Sequence, residues 1–136
     1  MKYFPIFLNI KNQPIAVVGG GDAAVAKLRL LLKTEGQITV YDDAPAPEIA
    51  TWADAGLLTI SRPPMSAEQA RHACLIYAAA EDDSRDAATH QIAKDTGTLF
   101  NWVDNLKNSN FITPAIVDRD PVVVAIGTEG AAPVVA

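Results

Sequence analysis

Apolar positions along this chain switch repeatedly between the period of a strand and that of a helix. Residues 14–18, Pro-Ile-Ala-Val-Val, are a short apolar run ending in Gly19-Gly20-Gly21, the pattern of a buried strand closed by a tight turn. Alanine, leucine and lysine then fill residues 23–34. Leu28, Leu31 and Leu32 stand at i, i+3 and i+4, the stripe of an amphipathic helix, and Gly36 marks its stop. Residues 38–41, Ile-Thr-Val-Tyr, predict a second strand, closed by Asp42-Asp43.

The alternation continues. Residues 47–55 predict a helix with Pro47 in its first turn, and residues 57–60 a third strand. Arg62-Pro63-Pro64 breaks that strand, and Ser66-Ala67-Glu68-Gln69 reads as a capped helix start. Strands are predicted at 74–79 and 98–102, on either side of a helix over 83–96 that Gly97 stops. Strands alternating with helices imply right-handed crossovers and a parallel sheet covered on both faces. After Asp104 the pattern changes. Residues 105–110 are a polar loop, and two β-rich runs, 111–117 and 122–127, are joined by Asp118-Arg119-Asp120-Pro121 as a hairpin. The expected fold class is therefore α/β: a Rossmann-like doubly wound parallel sheet over residues 1–110, followed by a β-hairpin appendage that opens the segment 111–136. Pro133, in Ala132-Pro133-Val134-Val135-Ala136, suits the first turn of a further helix, so the chain reads as part of a longer protein.

Composition removes several classes. At 136 residues with 49% hydrophobic and 20% charged positions, the chain can pack one ordinary core. Eleven Lys+Arg against 16 Asp+Glu give a formal charge of -5, which argues against nucleic-acid binding through phosphate contacts. A single cysteine, Cys74, excludes an intrachain disulfide and a cysteine-cluster metal site, and fits a cytoplasmic protein. No apolar run reaches the roughly 18 to 20 residues of a membrane span. No metal site is expected.

The strongest chemical signal is Gly19-Gly20-Gly21-Asp22-Ala23-Ala24, a G-x-G-x-x-A string directly after a strand and before a helix. Gly19 permits the tight turn, Gly21 lets backbone approach a pyrophosphate, and Ala24 lets the helix pack on the strand, while the helix N-terminus offers its free N–H groups. Asp42 follows at about the 20-residue spacing of a ribose-binding acid, with Asp43 beside it. An acid there repels a 2′-phosphate, and no Arg or Lys follows nearby, so NAD is expected over NADP. Asp22 either favours the helix dipole or touches the cofactor. The bland alternative is a plain turn with two solvated acids.

Other candidates read as structural. His72 and His90 are isolated, Cys74 begins a buried strand, Glu81-Asp82-Asp83 looks like a capped helix start, and Trp52 and Trp102 supply packing area. Asp104 differs, because it follows the fifth strand and so emerges at the C-terminal edge of the sheet, where open α/β folds bind ligands. A carboxylate beside a nicotinamide can accept a proton.

Several blocks together resemble a known family. They are Pro5-Ile6-Phe7-Leu8, the run Val17-Val18-Gly19-Gly20-Gly21-Asp22 with Ala24 and Lys27, Arg29-Leu30-Leu31-Leu32, Ala78-Ala79-Ala80 with Asp82-Asp83, Asn101-x-Val103-Asp104, Phe111-Ile112-x-Pro114-Ala115-Ile116-x-Asp118-Arg119, and Val124-Ala125-Ile126-Gly127-Thr128 before Ala132-Pro133. In this order they resemble the N-terminal precorrin-2 dehydrogenase/sirohydrochlorin ferrochelatase module of bacterial siroheme synthase. The resemblance implies NAD-dependent oxidation of precorrin-2 to sirohydrochlorin, a tetrapyrrole substrate, and in many members insertion of ferrous iron. It implies that the glycine turn with Asp22 and Ala23, the strand end Asp42-Asp43-Ala44, and Ala80 hold NAD, that Asp104 serves the chemistry, and that the segment after the dinucleotide domain forms a homodimer. The chain departs from the family at Glu81, where a Thr is usual, near Asp86, where an Asn is usual, near Val25-Ala26, where a Glu-Arg pair is usual, and at Glu129, a frequently small position. A regulatory dinucleotide-sensing domain is the competing function; it would have no reason to carry the block 101–119. A chain that binds NAD without turning over is the third.

Overall fold

The computed structural model describes residues 1–127. Thr128, Glu129 and the expected helix start at Ala132-Pro133 lie outside the described residues.

Five parallel strands form one sheet: β1 (Pro14–Val18), β2 (Gln37–Tyr41), β3 (Thr59–Ser61), β4 (Leu75–Ala78) and β5 (Leu99–Trp102). Their order is β3-β2-β1-β4-β5, with Ile15 paired to both Ile38 and Leu75. Four helices make the crossovers: α1 (Asp22–Leu31), α2 (Pro47–Asp54), α3 (Ala67–His72) and α4 (Asp83–Thr96). This is the mononucleotide-binding half of a doubly wound fold, with the direction of winding reversing between β1 and β4.

The two-residue period of β1 divides the core. Ile15 and Val17 join Ala24, Leu28 and Leu31 of α1 and Ile49 of α2 on one face. Ala16 and Val18 face the other way, with Ala70 of α3, Ala93 of α4, Ile76 and Phe100. A strand buried on both faces must be apolar at every position, which is why residues 15–18 carry no polar side chain.

Local signals act as expected at several ends. The Ser66 hydroxyl accepts from Gln69 N while the Gln69 side chain accepts from Ser66 N, a reciprocal capping box. Asp82 caps α4, and Gly97 ends it with φ of 70°. Two strands start at least two residues later than the sequence predicts, and β4 and β5 one residue later. Leu57 donates to Trp52 O in the turn that closes α2, so β3 begins only at Thr59. The hairpin strand β6 (Ala115–Arg119), paired antiparallel with β7 (Val122–Ile126), begins four residues after Phe111. Its lead-in is held by the main sheet instead. The Phe111 ring packs edge-on to Tyr77, Asn101 Nδ2 donates to Phe111 O, and the Thr113 and Tyr77 hydroxyls are 2.9 Å apart. Among the described residues no helix is long and apolar enough to cross a membrane.

Candidate functional site

The C-terminal ends of β1, β2, β4 and β5 converge on the glycine turn. Gly19 has φ of +134°, and a Cβ there would collide with the carbonyl of Ala79 and lie 2.7 Å from Ala80 N. Two strand ends thus meet backbone to backbone, which only glycine allows. Gly20 is crowded from the opposite side, by Asp42 Oδ2 at 2.6 Å and Pro45 Cα at 2.8 Å from its would-be Cβ. The loop after β2 therefore packs on the turn, and Ala46 N donates to Gly20 O. Gly21 is open except toward Glu81. It precedes α1 without a side-chain cap, so the first N–H groups of that helix face outward from the turn.

One of those donors already has an anion. Glu81, in the left-handed region with φ of 57°, places Oε1 2.9 Å from Ala23 N. The reading of Glu81-Asp82-Asp83 as a plain helix start holds for Asp82, while Glu81 points across the crevice to the start of α1. Sequence gave no sign of this, because 58 residues separate the partners.

Asp42 is engaged on both oxygens. Oδ1 is 3.1 Å from Arg85 Nη2, and Oδ2 accepts from Ala44 N at 3.2 Å. The expectation that no cation stands near this strand end holds along the chain and fails in space: α4 brings Arg85 to it. Asp43, next to it, is exposed, and Asp22 lies exposed in the first turn of α1.

Ala80 N donates to Asp86 Oδ1 at 3.0 Å, so a cofactor contact at Ala80 is left to its carbonyl and methyl. Burial raises the Asp86 carboxyl above the ordinary range, opposed by the hydrogen bonds it accepts from Ala80 and Asp82 and by the Arg85 charge.

Asp104 sits on the turn after β5 with φ of 63°. Left-handed backbone at two non-glycine residues, Glu81 and Asp104, marks the ends of β4 and β5, and such conformations gather at functional sites. Both side chains border one cleft of about 130 Å³ together with Ala23, Ala79, Asp86 and Trp102. The cleft thus joins the start of α1 to Asp104. A larger hollow of about 290 Å³ between α4 and residues 107–110 includes His90 but none of the turn.

Lys27 belongs to this region too; in the sequence it stands out only within a block of the family resemblance, with no role attached. It lies one turn after Ala23 on α1, the i+4 position that shares a helix face, which is the signal that could have found it. Its Nζ is 5.7 Å from the Tyr77 ring centroid. Burial pushes its ammonium below the ordinary value, and the Asp104 charge works against that shift. The remaining candidates are placed elsewhere. His90 stacks on Phe100 at 4.9 Å, His72 is exposed beside Glu68, Cys74 packs at the core edge, and Trp52 joins the first core face. No group of three or more potential metal ligands occurs among the described residues.

The turn, the strand-end acid and the open helix start stand together at the C-terminal edge of the sheet, where open α/β folds bind ligands. A family model described as "Putative NAD(P)-binding" matches residues 6–115. The chain belongs to that family. This NAD(P)-binding chain is also 38% identical over all 136 residues to a siroheme synthase of Nitrosococcus oceani, and 37% identical to a siroheme synthase of Escherichia coli O1:K1 / APEC. It spans 29% and 30% of the length of those relatives. Among solved structures it resembles SirC, a precorrin-2 dehydrogenase, with a TM-score of 0.82 and 27% identity over 96% of this chain and 64% of that one. NAD is the cofactor that this membership supports. Of the three glycines Gly21 is the open one, and Glu81 must release Ala23 N before that donor can serve a phosphate.

Proposed function

We propose that this chain is the dinucleotide-binding part of an enzyme that oxidises precorrin-2 to sirohydrochlorin with NAD. The observation that carries the reading is the single cleft that runs from the start of α1 to Asp104. The names of the relatives and of the structural neighbour point to the same substrate class.

Oxidation removes two hydrogens from the tetrapyrrole. NAD, when bound, takes one of them as a hydride. The other leaves as a proton, and Asp104 is the carboxylate placed to receive it. In this reading the turn 19–21 and Ala23 hold the pyrophosphate, residues 42–44 the adenosine ribose, and Ala80 the wall between them. Lys27, half-buried on α1, carries a charge that couples to that carboxylate. If ferrous iron is then inserted as a substrate, two pyrrole N–H protons must leave, and Asp104 is again the available acceptor. The hairpin β6–β7 serves as the homodimer element, because Val117, Val122 and Val124 share one exposed apolar face. Residues 1–110 form the dinucleotide domain, in the cytoplasm, and 111–136 begin the dimerisation segment.

Substitution of Asp104 tests this. Asparagine keeps the size without the basicity, so Asp104→Asn lowers precorrin-2 turnover by at least about 100-fold. NAD affinity, measured alongside by calorimetry, stays within about twofold. Near-normal turnover would reduce Asp104 to a loop acid.

A further inference from the structure

The ion pair between Asp42 and Arg85 changes what a dinucleotide meets at the end of β2. Resting on the dinucleotide reading above, we infer that Arg85 is a specificity-determining residue that lets this site accept a dinucleotide carrying a 2′-phosphate, NADP, as well as NAD.

An acid at this strand end ordinarily selects NAD, by accepting from the ribose 2′-hydroxyl and repelling a phosphate in its place. An arginine nearby accommodates the phosphate. Here both groups are present, and their exposure decides which one faces a ligand. The Asp42 side chain keeps 13% of its surface accessible, and that of Arg85 keeps 43%. Asp42 is also spent at both oxygens, on Arg85 and on Ala44 N. Its charge is thus neutralised and turned inward, against Gly20 of the turn.

Arg85 uses one nitrogen on Asp42, and a guanidinium has five N–H donors in a planar fork suited to phosphate oxygens. Its backbone is fixed as well. Arg85 N donates to the Asp82 cap at 3.0 Å, in the first turn of α4, so the side chain starts from a rigid position. The pair places a half-exposed cation next to the turn at the position of the ribose edge. Nothing in the spacing of residues around Asp42 encodes this, because Arg85 lies 43 positions away.

Calorimetric titration of the protein with NAD and with NADP tests the inference, using wild type, Arg85→Ala and Arg85→Lys. The wild type binds NADP within about tenfold of NAD. Arg85→Ala weakens NADP by about tenfold or more, the loss of a charge-assisted contact, and leaves NAD equal or tighter because Asp42 is released toward the ribose. Arg85→Lys retains most NADP binding and shows that the site folds. Added salt weakens NADP more than NAD. A wild type that prefers NAD by 100-fold or more, about the same preference in Arg85→Ala, or equal loss of both dinucleotides would overturn the assignment while leaving the NAD site intact. If the wild type binds neither dinucleotide, the dinucleotide reading fails and takes this inference with it.

Discussion

Removing the Glu81 side chain should tighten dinucleotide binding while weakening the fold. Glu81 Oε1 accepts from Ala23 N at 2.9 Å, and that N–H is one of the donors of the pyrophosphate site proposed above. Before the phosphate can bind, the carboxylate must leave. Breaking a partly exposed hydrogen bond costs about 0.5–1.5 kcal/mol, and removing an acid from a helix N-terminus costs about 0.3–1 kcal/mol. Together these give about 1–2 kcal/mol, or about a 5- to 30-fold gain in NAD affinity for Glu81→Ala. The same 1–2 kcal/mol is lost from the stability of the free protein, since the helix start loses its internal anion. Alanine shares the left-handed backbone cost of glutamate, so that cost cancels in the comparison. Glu81→Gln keeps an oxygen acceptor without the charge and falls between the two. Calorimetry gives the affinities, and urea unfolding the stabilities. Unchanged or weaker NAD binding in Glu81→Ala would refute the competition.

Burial raises the Asp86 carboxyl, so the folded chain holds a proton that the unfolded chain releases. Stability from this group is present below the ordinary carboxylate value near 4 and is lost as pH rises through the raised one; Asp86→Asn removes that loss, so its stability relative to wild type improves as pH rises above about 4, and a pH-independent difference in urea unfolding would contradict this. Gly19→Ala places a Cβ against the backbone of Ala79 and Ala80 at a φ of +134° and should cost about 2–4 kcal/mol, with loss of NAD binding; a thermal melt near that of wild type would show that the turn can yield. Val124→Asp puts a charge on the apolar face of the hairpin, far from the glycine turn in the chain, and should convert a dimer to a monomer by light scattering with NAD affinity unchanged; a wild type already monomeric at micromolar concentration would remove the hairpin's proposed role.

Local chemistry was legible and long-range chemistry was not. The apolar run 15–18, the glycine turn and the bounds of α4 could be read because each depends on neighbours within a few positions. β3 and β6 begin later than their apolar residues do, because Leu57 is used to close α2 and Phe111 to cover Tyr77. The electrostatics of the site depends on contacts across 58 residues for Glu81 and Ala23, and across 43 for Arg85 and Asp42. No periodicity carries such pairs. Asp104 could be placed at the sheet edge from strand order alone, whereas its relation to Lys27 required α1 to lie over Tyr77 of β4.

The central claim is tested most directly by anaerobic incubation of the protein, at its natural length, with precorrin-2 and NAD. The account predicts that NADH and sirohydrochlorin appear together in equal amounts, and that neither forms when NAD is left out. Tight binding of NAD with no NADH formed from precorrin-2 would contradict it and would favour a dinucleotide sensor.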